Sequence, residues 1–312
     1  MILEALYLHP LKLLTMNTPT LQGINGWLVI DKPSGPTSAK IVSLAKQIPH
    51  VRKAGHAGTL DPLATGVLPI ALGEATKTIR HVIEGLKQYE FTINWGEERS
   101  TDDSEGIVTA STESRPTQQG IECALLTFLG ITYQIPPMYS ALKVNGQRAY
   151  KLARRGQAPE LKPREILIRR FSLIDIPNRD SAFFQLQCGK GTYVRALARD
   201  LSRHLGTFGY VSSLRRIQTG PFHEKQAISL EKLQRLRHSP CVLKYLLPLR
   251  TALADIPALS IDGQSADRLR RGQAVHVSGA DGGTAVILAS GQPIALASLD
   301  SGWVRPKRVF NL

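Results

Sequence analysis

Twelve residues, Gly55-His56-Ala57-Gly58-Thr59-Leu60-Asp61-Pro62-Leu63-Ala64-Thr65-Gly66, set one histidine and one carboxylate among three glycines and a proline. Neither helix nor strand accommodates that mixture, because glycine raises the entropic cost of order and proline lacks a backbone donor. The stretch reads as a shaped loop. The apolar run Val67-Leu68-Pro69-Ile70-Ala71-Leu72 follows and reads as a buried strand that carries it. A single carboxylate on a loop anchored to a rigid strand is placed for nucleophilic attack or proton handling. Taken alone, Asp61-Pro62 is an ordinary turn starter and His56 a surface residue. The whole string is what sets it apart.

Two further stretches carry candidate groups. Gly189-Lys190-Gly191-Thr192-Tyr193-Val194-Arg195 allows a tight turn from a strand over 182–188 into a helix over 196–205, whose core face is Leu197, Leu201 and Leu205. It lacks the spacing of a phosphate-binding P-loop. Arg195, Arg199 and Arg203 recur every four residues and share one side of that helix. An arginine at the helix start does not complement the helix dipole, which points to a specific acidic partner. Residues 210–222, with Leu214-Arg215-Arg216, read as a strand.

The elements around these motifs are those of an α+β protein. Gly26-Trp27-Leu28-Val29-Ile30 reads as a strand, followed by a turn through Asp31-Lys32-Pro33-Ser34-Gly35-Pro36. Thr37 or Ser38 caps a helix with Ile41, Ala45 and Ile48 on its core face. Residues 75–86 read as a helix with Ile79, Val82, Ile83 and Leu86 on one side, and Tyr89 to Trp95 alternates as a strand. Glu97 to Glu105 is an acidic loop, and Ile121 to Leu129 an apolar-faced helix. Residues 228–250 form a connector with an amphipathic helix near Leu230, Leu233 and Leu236. Beyond about Asp255, short β-like runs between glycine-rich turns suggest a small barrel.

The chain of 312 residues holds 39 Lys and Arg against 25 Asp and Glu, a formal net charge of +14. That excess points to a polyanion, nucleic acid first and an anionic membrane surface second. Residues 143–170 hold nine basic and two acidic residues, +7 in all and half of the whole excess. Lys151, Arg154 and Arg155 lie there, with Tyr139 and Tyr150 at or beside the stretch. Charge that holds phosphates and rings that stack on bases make it a candidate nucleic-acid clamp, against the alternative of a solvated basic loop. Cys123, Cys188 and Cys241 are far apart and suggest cytoplasmic thiols, with neither a disulfide framework nor a zinc site. The apolar start, residues 1–14, is too short to span a bilayer, which takes roughly 20 residues. Residues 1–22 read as a tail, and no membrane association is expected.

The string around Asp61 resembles the signature of the tRNA pseudouridine-55 synthases of the TruB type, in which the Asp of G-H-x-G-x-L-D-P-x-A-x-G is the essential carboxylate. K-P-x-G-x-T-S at Lys32, G-T-Y-x-R ending at Arg195 and L-R-R-x-x-x-G-x-F from Leu214 resemble the family's other motifs, in the family's order. Where the family has a Thr-Asp-Thr cluster, this chain shows Arg99-Ser100-Thr101. The resemblance implies a synthase domain over 23–250, built on a mixed, mostly antiparallel sheet with flanking helices. It makes 143–170 a thumb-like insertion that closes over an RNA stem-loop, and 251–312 a PUA-like RNA-binding barrel, for which a merely structural cap is the alternative.

The implied reaction turns a uridine in the T-loop of tRNA into its C-glycoside after flipping it from the stack. Asp61 acts as nucleophile or base, and Arg195 pairs with it and keeps it ionised. Tyr89 stacks on the flipped uracil, Tyr193 lies beside the reacting ring, and Leu214 packs at the pocket wall. His56 fills the gap left by the nucleotide or holds its neighbour, and Lys32 plays a structural or electrostatic part. Attack at C6, attack at C1′ and deprotonation at C2′ all use the same carboxylate. The resemblance implies no metal and no cofactor, and a monomeric cytoplasmic enzyme. A tRNA-folding chaperone with catalysis secondary, and a glycosidic hydrolase, are the competing readings; the second calls for another carboxylate, which the matching motifs lack.

Overall fold

The computed structural model describes residues 23–144, 146–157 and 159–312; the tail assigned to 1–22 lies outside them. Strand β1 (Gly26–Lys32) is followed by helix α1 (Ser38–Ala45), β2 (Ala54–His56), β3 (Thr65–Leu72), α2 (Ile79–Glu84) and β4 (Lys87–Trp95). A short hairpin, β5 (Glu97–Arg99) with β6 (Val108–Ser111), precedes α3 (Gln118–Thr127) and β7 (Gly130–Gln134). The basic insertion holds β8 (Lys143–Val144), β9 (Gln147–Arg148) and α4 (Ala149–Ala153). The long β10 (Arg164–Asn178), β11 (Ser181–Cys188), α5 (Val194–His204), β12 (Gly209–Thr219), β13 (Phe222–His223), β14 (Ile228–Ser229) and α6 (Leu230–Leu236) follow. The last part comprises β15 (Ala258–Ser260), α7 (Gly263–Arg270), β16 (Val275–His276), β17 (Gly283–Ala289), β18 (Gln292–Asp300) and β19 (Trp303–Val309).

The large sheet runs β14-β1-β3-β12-β4-β11-β10-β7, with β2 beside β3 and β13 beside β12. All its pairings are antiparallel except β1 with β14 and β3 with β12. Strand β4 alternates strictly, with Lys87, Tyr89, Phe91, Ile93 and Trp95 inward, as a sheet with one covered face requires. The runs 27–30 of β1 and 67–72 of β3 are unbroken apolar sequence because both of their faces are covered. Leu28, Ile30, Leu68 and Ile70 join Ile41 and Ala45 of α1 in the main core. Trp27, Val29, Val67 and Ala71 face a second core with Phe222, Val286, Leu296 and Phe310. The C-terminal sheet, ordered β15-β17-β18-β19-β16, therefore shares a core with the back of the first sheet.

Several sequence expectations shift. Residues 75–86 are not one helix: a 3₁₀ segment, Gly73–Thr78, precedes α2. The Thr76 and Thr78 hydroxyls donate to Gly73 O and Ala75 O at 2.7 and 2.8 Å, which favours the tighter turn, and Ile83 is exposed. Lys77 and Glu74 of this segment bond Val309 O and Asn311 N, so its geometry serves to dock the C-terminal sheet. Helix α1 stops at Ala45, and Ile48 is buried from the turn beyond it. His56 and Gly55 belong to a short strand rather than to the loop. The acidic segment starts as strand β5. Arg164 to Arg170, assigned to the insertion, belong to β10 of the main sheet. Helix α7 and strand β19 complete the C-terminal part; β19 escaped the sequence pattern because Pro306 and three basic side chains break its alternation.

Candidate active site

The site forms where the main sheet changes direction. Strand β12 meets β3 at only two residue pairs, Arg215 with Thr65 and Arg216 with Gly66. Strand β2 takes the same edge of β3 further on, from Ile70 to Leu72, so β12 diverges there. The loop from β2 to β3 carries Asp61 at this junction.

Every turn of that loop is tied down. Ser38 Oγ donates to Leu60 O at 3.0 Å and accepts from Leu60 N at 2.9 Å. Lys32, fully buried, points Nζ at Pro33 O, Pro62 O and Ala64 O at 2.7–2.9 Å. Gly35 N donates to Pro62 O, and Ala64 N to Asp61 O. Thr37, not Ser38, caps α1, accepting from Lys40 N; Ser38 is thereby released to hold the loop. Burial pulls the Lys32 ammonium down to about 8, against the Asp61 charge that supports it. Lys32 thus bears on Asp61 through its loop.

Arg195, on the first turn of α5, aims Nε at Asp61 Oδ2 at 2.9 Å. Its Nη1 donates to Thr101 O at 2.8 Å and lies 3.4 Å from Asp103 Oδ2, and its Nη2 donates to Tyr139 O at 3.1 Å. The guanidinium is nearly fully buried, whereas the Asp61 side chain is 32% exposed and so open to a substrate. One turn on, Arg199 pairs with Asp102 at 3.1 Å and Asp200 at 2.8 Å. One turn further, Arg203 pairs with Glu98 at 2.9 Å. The arginine face of α5 therefore docks on the acidic segment, which offsets its clash with the helix dipole. Burial raises the Asp102 carboxyl to about 6, with Arg199 and Arg195 pulling the other way.

Around this pair, Tyr89 on β4 is buried opposite Arg216 of β12, and Leu214 of β12 lies opposite Phe91. Burial raises the Tyr89 phenol pKa, so it stays protonated. Tyr193 is the N-cap residue of α5 and half-buried. Its backbone is gripped by the buried Gln134 amide, which donates to Tyr193 O at 3.1 Å and accepts from Tyr193 N at 2.9 Å. Burial and then the Asp61 charge raise its phenol pKa. His56 is half-buried, and burial, then the nearby Arg216, lowers its pKa and favours a neutral ring. Lys151, Arg154 and Arg155 stand apart from this cluster, exposed on α4 and the turn after it; among the described residues none pairs with a carboxylate. Tyr139, at the root of the insertion, links it to Arg195. Among the described residues no cluster of three His, Cys, Asp or Glu is placed to hold a metal ion, and no helix is long and apolar enough to cross a membrane.

Sequence reasoning missed Ser38, Asp102, Asp103, Gln134 and Arg216. The signal for the two aspartates was present, as an acidic run to match an arginine ladder with a spacing of four.

Two family models match in succession: "TruB family pseudouridylate synthase (N terminal domain)" over residues 46–194 and "tRNA pseudouridylate synthase B C-terminal domain" over 195–254. The tRNA pseudouridine synthase B of Bradyrhizobium diazoefficiens is 51% identical over 298 residues, 93% of this chain and 86% of that protein. The chain belongs to the TruB family of pseudouridylate synthases. The tRNA pseudouridine synthase B of Rhodopseudomonas palustris is 48% identical over 93% of the chain and 81% of its own length. Among solved structures, a chain of an H/ACA RNP bound to a substrate RNA containing 2'-deoxyuridine superposes with a TM-score of 0.70 at 22% identity, over 92% of this chain and 85% of that one. At that identity the likeness speaks for the fold, and it agrees with the α+β architecture and the C-terminal β-module expected from sequence. As a TruB-family protein the chain is an isomerase, and the chaperone alternative is not favoured.

Proposed function

We propose that the protein isomerises uridine-55 in the T-loop of tRNA to pseudouridine, with Asp61 as the reacting carboxylate. The observation that carries this is the partly open Asp61 side chain held by a buried arginine at 2.9 Å, on a loop fixed at almost every carbonyl. Near-identical naming of relatives across 93% of the chain supports the substrate. In the reaction the N1–C1′ bond breaks, a C5–C1′ bond forms, C5 loses its proton and N1 gains one, so no atom is added overall. A carboxylate serves each route to that exchange, whether at C6, C1′ or C2′.

Flipping costs a few kcal/mol, less in a loop than in a regular helix. Tyr89 offers a face to the flipped base, Tyr193 and Leu214 border it, and His56, uncharged, fills the vacated stack. Arg195 holds Asp61 against rotation. Lys151, Arg154 and Arg155 take phosphates of the T-arm, and the module over 251–312 extends the RNA contact beyond the synthase domain over 23–250. We assign the active form as a monomer in the cytoplasm, where tRNA is found.

Mass mapping of T-arm RNA treated with wild type and with Asp61→Asn tests the reading. Pseudouridine is expected at position 55 with wild type alone. Equal formation by Asp61→Asn would falsify the assignment, and release of free uracil would make the protein a hydrolase.

A further inference from the structure

Arg216 neighbours the signature loop yet is absent from the roles above. Its side chain is 1% exposed and, among the described residues, pairs with no carboxylate. Nε donates to Val67 O at 2.8 Å, Nη2 to Gly58 O at 3.1 Å and Nη1 to Thr59 O at 3.4 Å. Gly58 and Thr59 lie on the limb that enters Asp61, and Val67 on the limb that leaves it. The Arg216 backbone also closes on the loop, because a Cβ on Gly66 would fall 2.2 Å from Arg216 O. The loop is thus wound around one buried cation, and Lys32 grips it from the far side through Pro62 O and Ala64 O.

We propose that Arg216 is a positioning residue, which fixes Asp61 for the reaction by clamping the carbonyls of Gly58, Thr59 and Val67 on both limbs of its loop. The planar fork of a guanidinium reaches three acceptors in different directions, which an ammonium on a flexible stem does less well. An apolar side chain of like volume would fill the space at lower desolvation cost, but it would leave three carbonyls unpaired. Held from both limbs, Asp61 keeps its register with Arg195, which approaches from a different element. Displacements of about 1 Å at a reacting group cost on the order of 100-fold in rate. The same cation lies near His56, where after burial it is the next cause of the lowered imidazole pKa.

The proposal rests on Asp61 as the reacting group, so wild type and Asp61→Asn are run beside Arg216→Gln and Arg216→Lys. Single-turnover pseudouridine formation at saturating T-arm RNA is measured with RNA affinity and amide hydrogen exchange. Arg216→Gln is expected to be about 100-fold slower with an RNA dissociation constant within about threefold of wild type. Arg216→Lys should recover about tenfold of that loss. Exchange at the Leu60 and Ala64 amides should rise about tenfold or more in Arg216→Gln, while amides of α5 and β4 keep their protection. A folded Arg216→Gln protein with wild-type rate or unchanged loop exchange overturns the proposal. So does equal damage in both variants with protection lost across α5 and β4, the pattern of general destabilisation. Should Arg216→Gln not fold, Arg216→Lys decides: about tenfold slower with unchanged KM supports the clamp, and wild-type rate overturns it. An inactive wild type would sink the reading of Asp61 instead, and the exchange measurements would still judge Arg216.

Discussion

Replacing Gly66 by alanine places a methyl group where the fold has no room for one. Gly66 has φ of +99°, and a Cβ there would lie 2.2 Å from Arg216 O and 2.9 Å from Arg216 N. Those are backbone atoms of a neighbouring strand and cannot rotate aside. The strained dihedral costs about 1–3 kcal/mol, and overpacking costs typically about 1–3 more, so a loss of about 4 kcal/mol is expected. That is a large part of the roughly 5–15 kcal/mol that holds a protein of this kind together. Relief requires β3 to part from β12, and these strands pair only at Thr65 and Gly66. The Asp61 loop then moves with β3. Urea denaturation should show the full loss, the melting temperature should fall on the order of 10 °C, and turnover should drop at least about tenfold where the variant is still folded. Gly35→Ala is the control, with φ of +104° but nothing within 4 Å of the added Cβ. It should suffer the dihedral strain alone. If Gly66→Ala is no less stable than Gly35→Ala, the close approach of β12 is not what shapes the site.

Arg195→Met leaves Asp61 and Asp103 facing a gap without their shared cation. We expect a rate loss of about 100-fold or more with RNA affinity little changed, and a rate within tenfold of wild type would refute the pairing as functional. Replacing Lys151, Arg154 and Arg155 by alanine should make the salt dependence of tRNA binding shallower by about 2–3 on a log–log plot; an unchanged slope removes them from the interface. Deleting residues 251–312 strips Val286, Leu296 and Phe310 from Trp27, Val29 and Phe222, so the melting temperature of the remainder should fall sharply, and an unchanged midpoint would show that the shared core contributes little. Burial holds the Asp102 carboxyl near pH 6 when folded, above its ordinary value of 3.8, so the folded chain keeps a proton that the unfolded chain has released between about pH 4 and 6. The stability this group contributes therefore falls as pH rises through that window and is level above it. Urea titrations of wild type and Asp102→Asn should differ by an amount that varies across that window alone, and a pH-independent difference would contradict the assignment.

The chain order of motifs made the candidate site groups legible. Asp61, Tyr193 and Arg195 stand out because glycine, proline and charge in a fixed spacing fit no regular element, whereas Tyr89 lies in an alternating strand and only the family resemblance points to it. Strands were readable where one face is covered, as in β4, whose alternation mirrors its burial. They were readable also where both faces are covered, as in β3, whose unbroken apolar run needs a second core. The 3₁₀ turn at Gly73–Thr78 and strand β5 were not readable, because docking onto other parts of the chain selects them over the local pattern.

By itself the sequence determined which residue types stand at which spacing: a lone carboxylate, an arginine ladder, and a basic insertion suited to phosphates. Types and spacing are local properties, and local properties survive in a string of letters. Only the tertiary structure decided what holds the carboxylate still. Lys32, Ser38 and Arg216 reach its loop from three different elements by hydrogen bonds to backbone carbonyls and amides, and Gln134 holds the Tyr193 backbone beside it in the same way. A backbone acceptor carries no residue identity, so no pattern of side chains along the chain can announce which distant donor will find it.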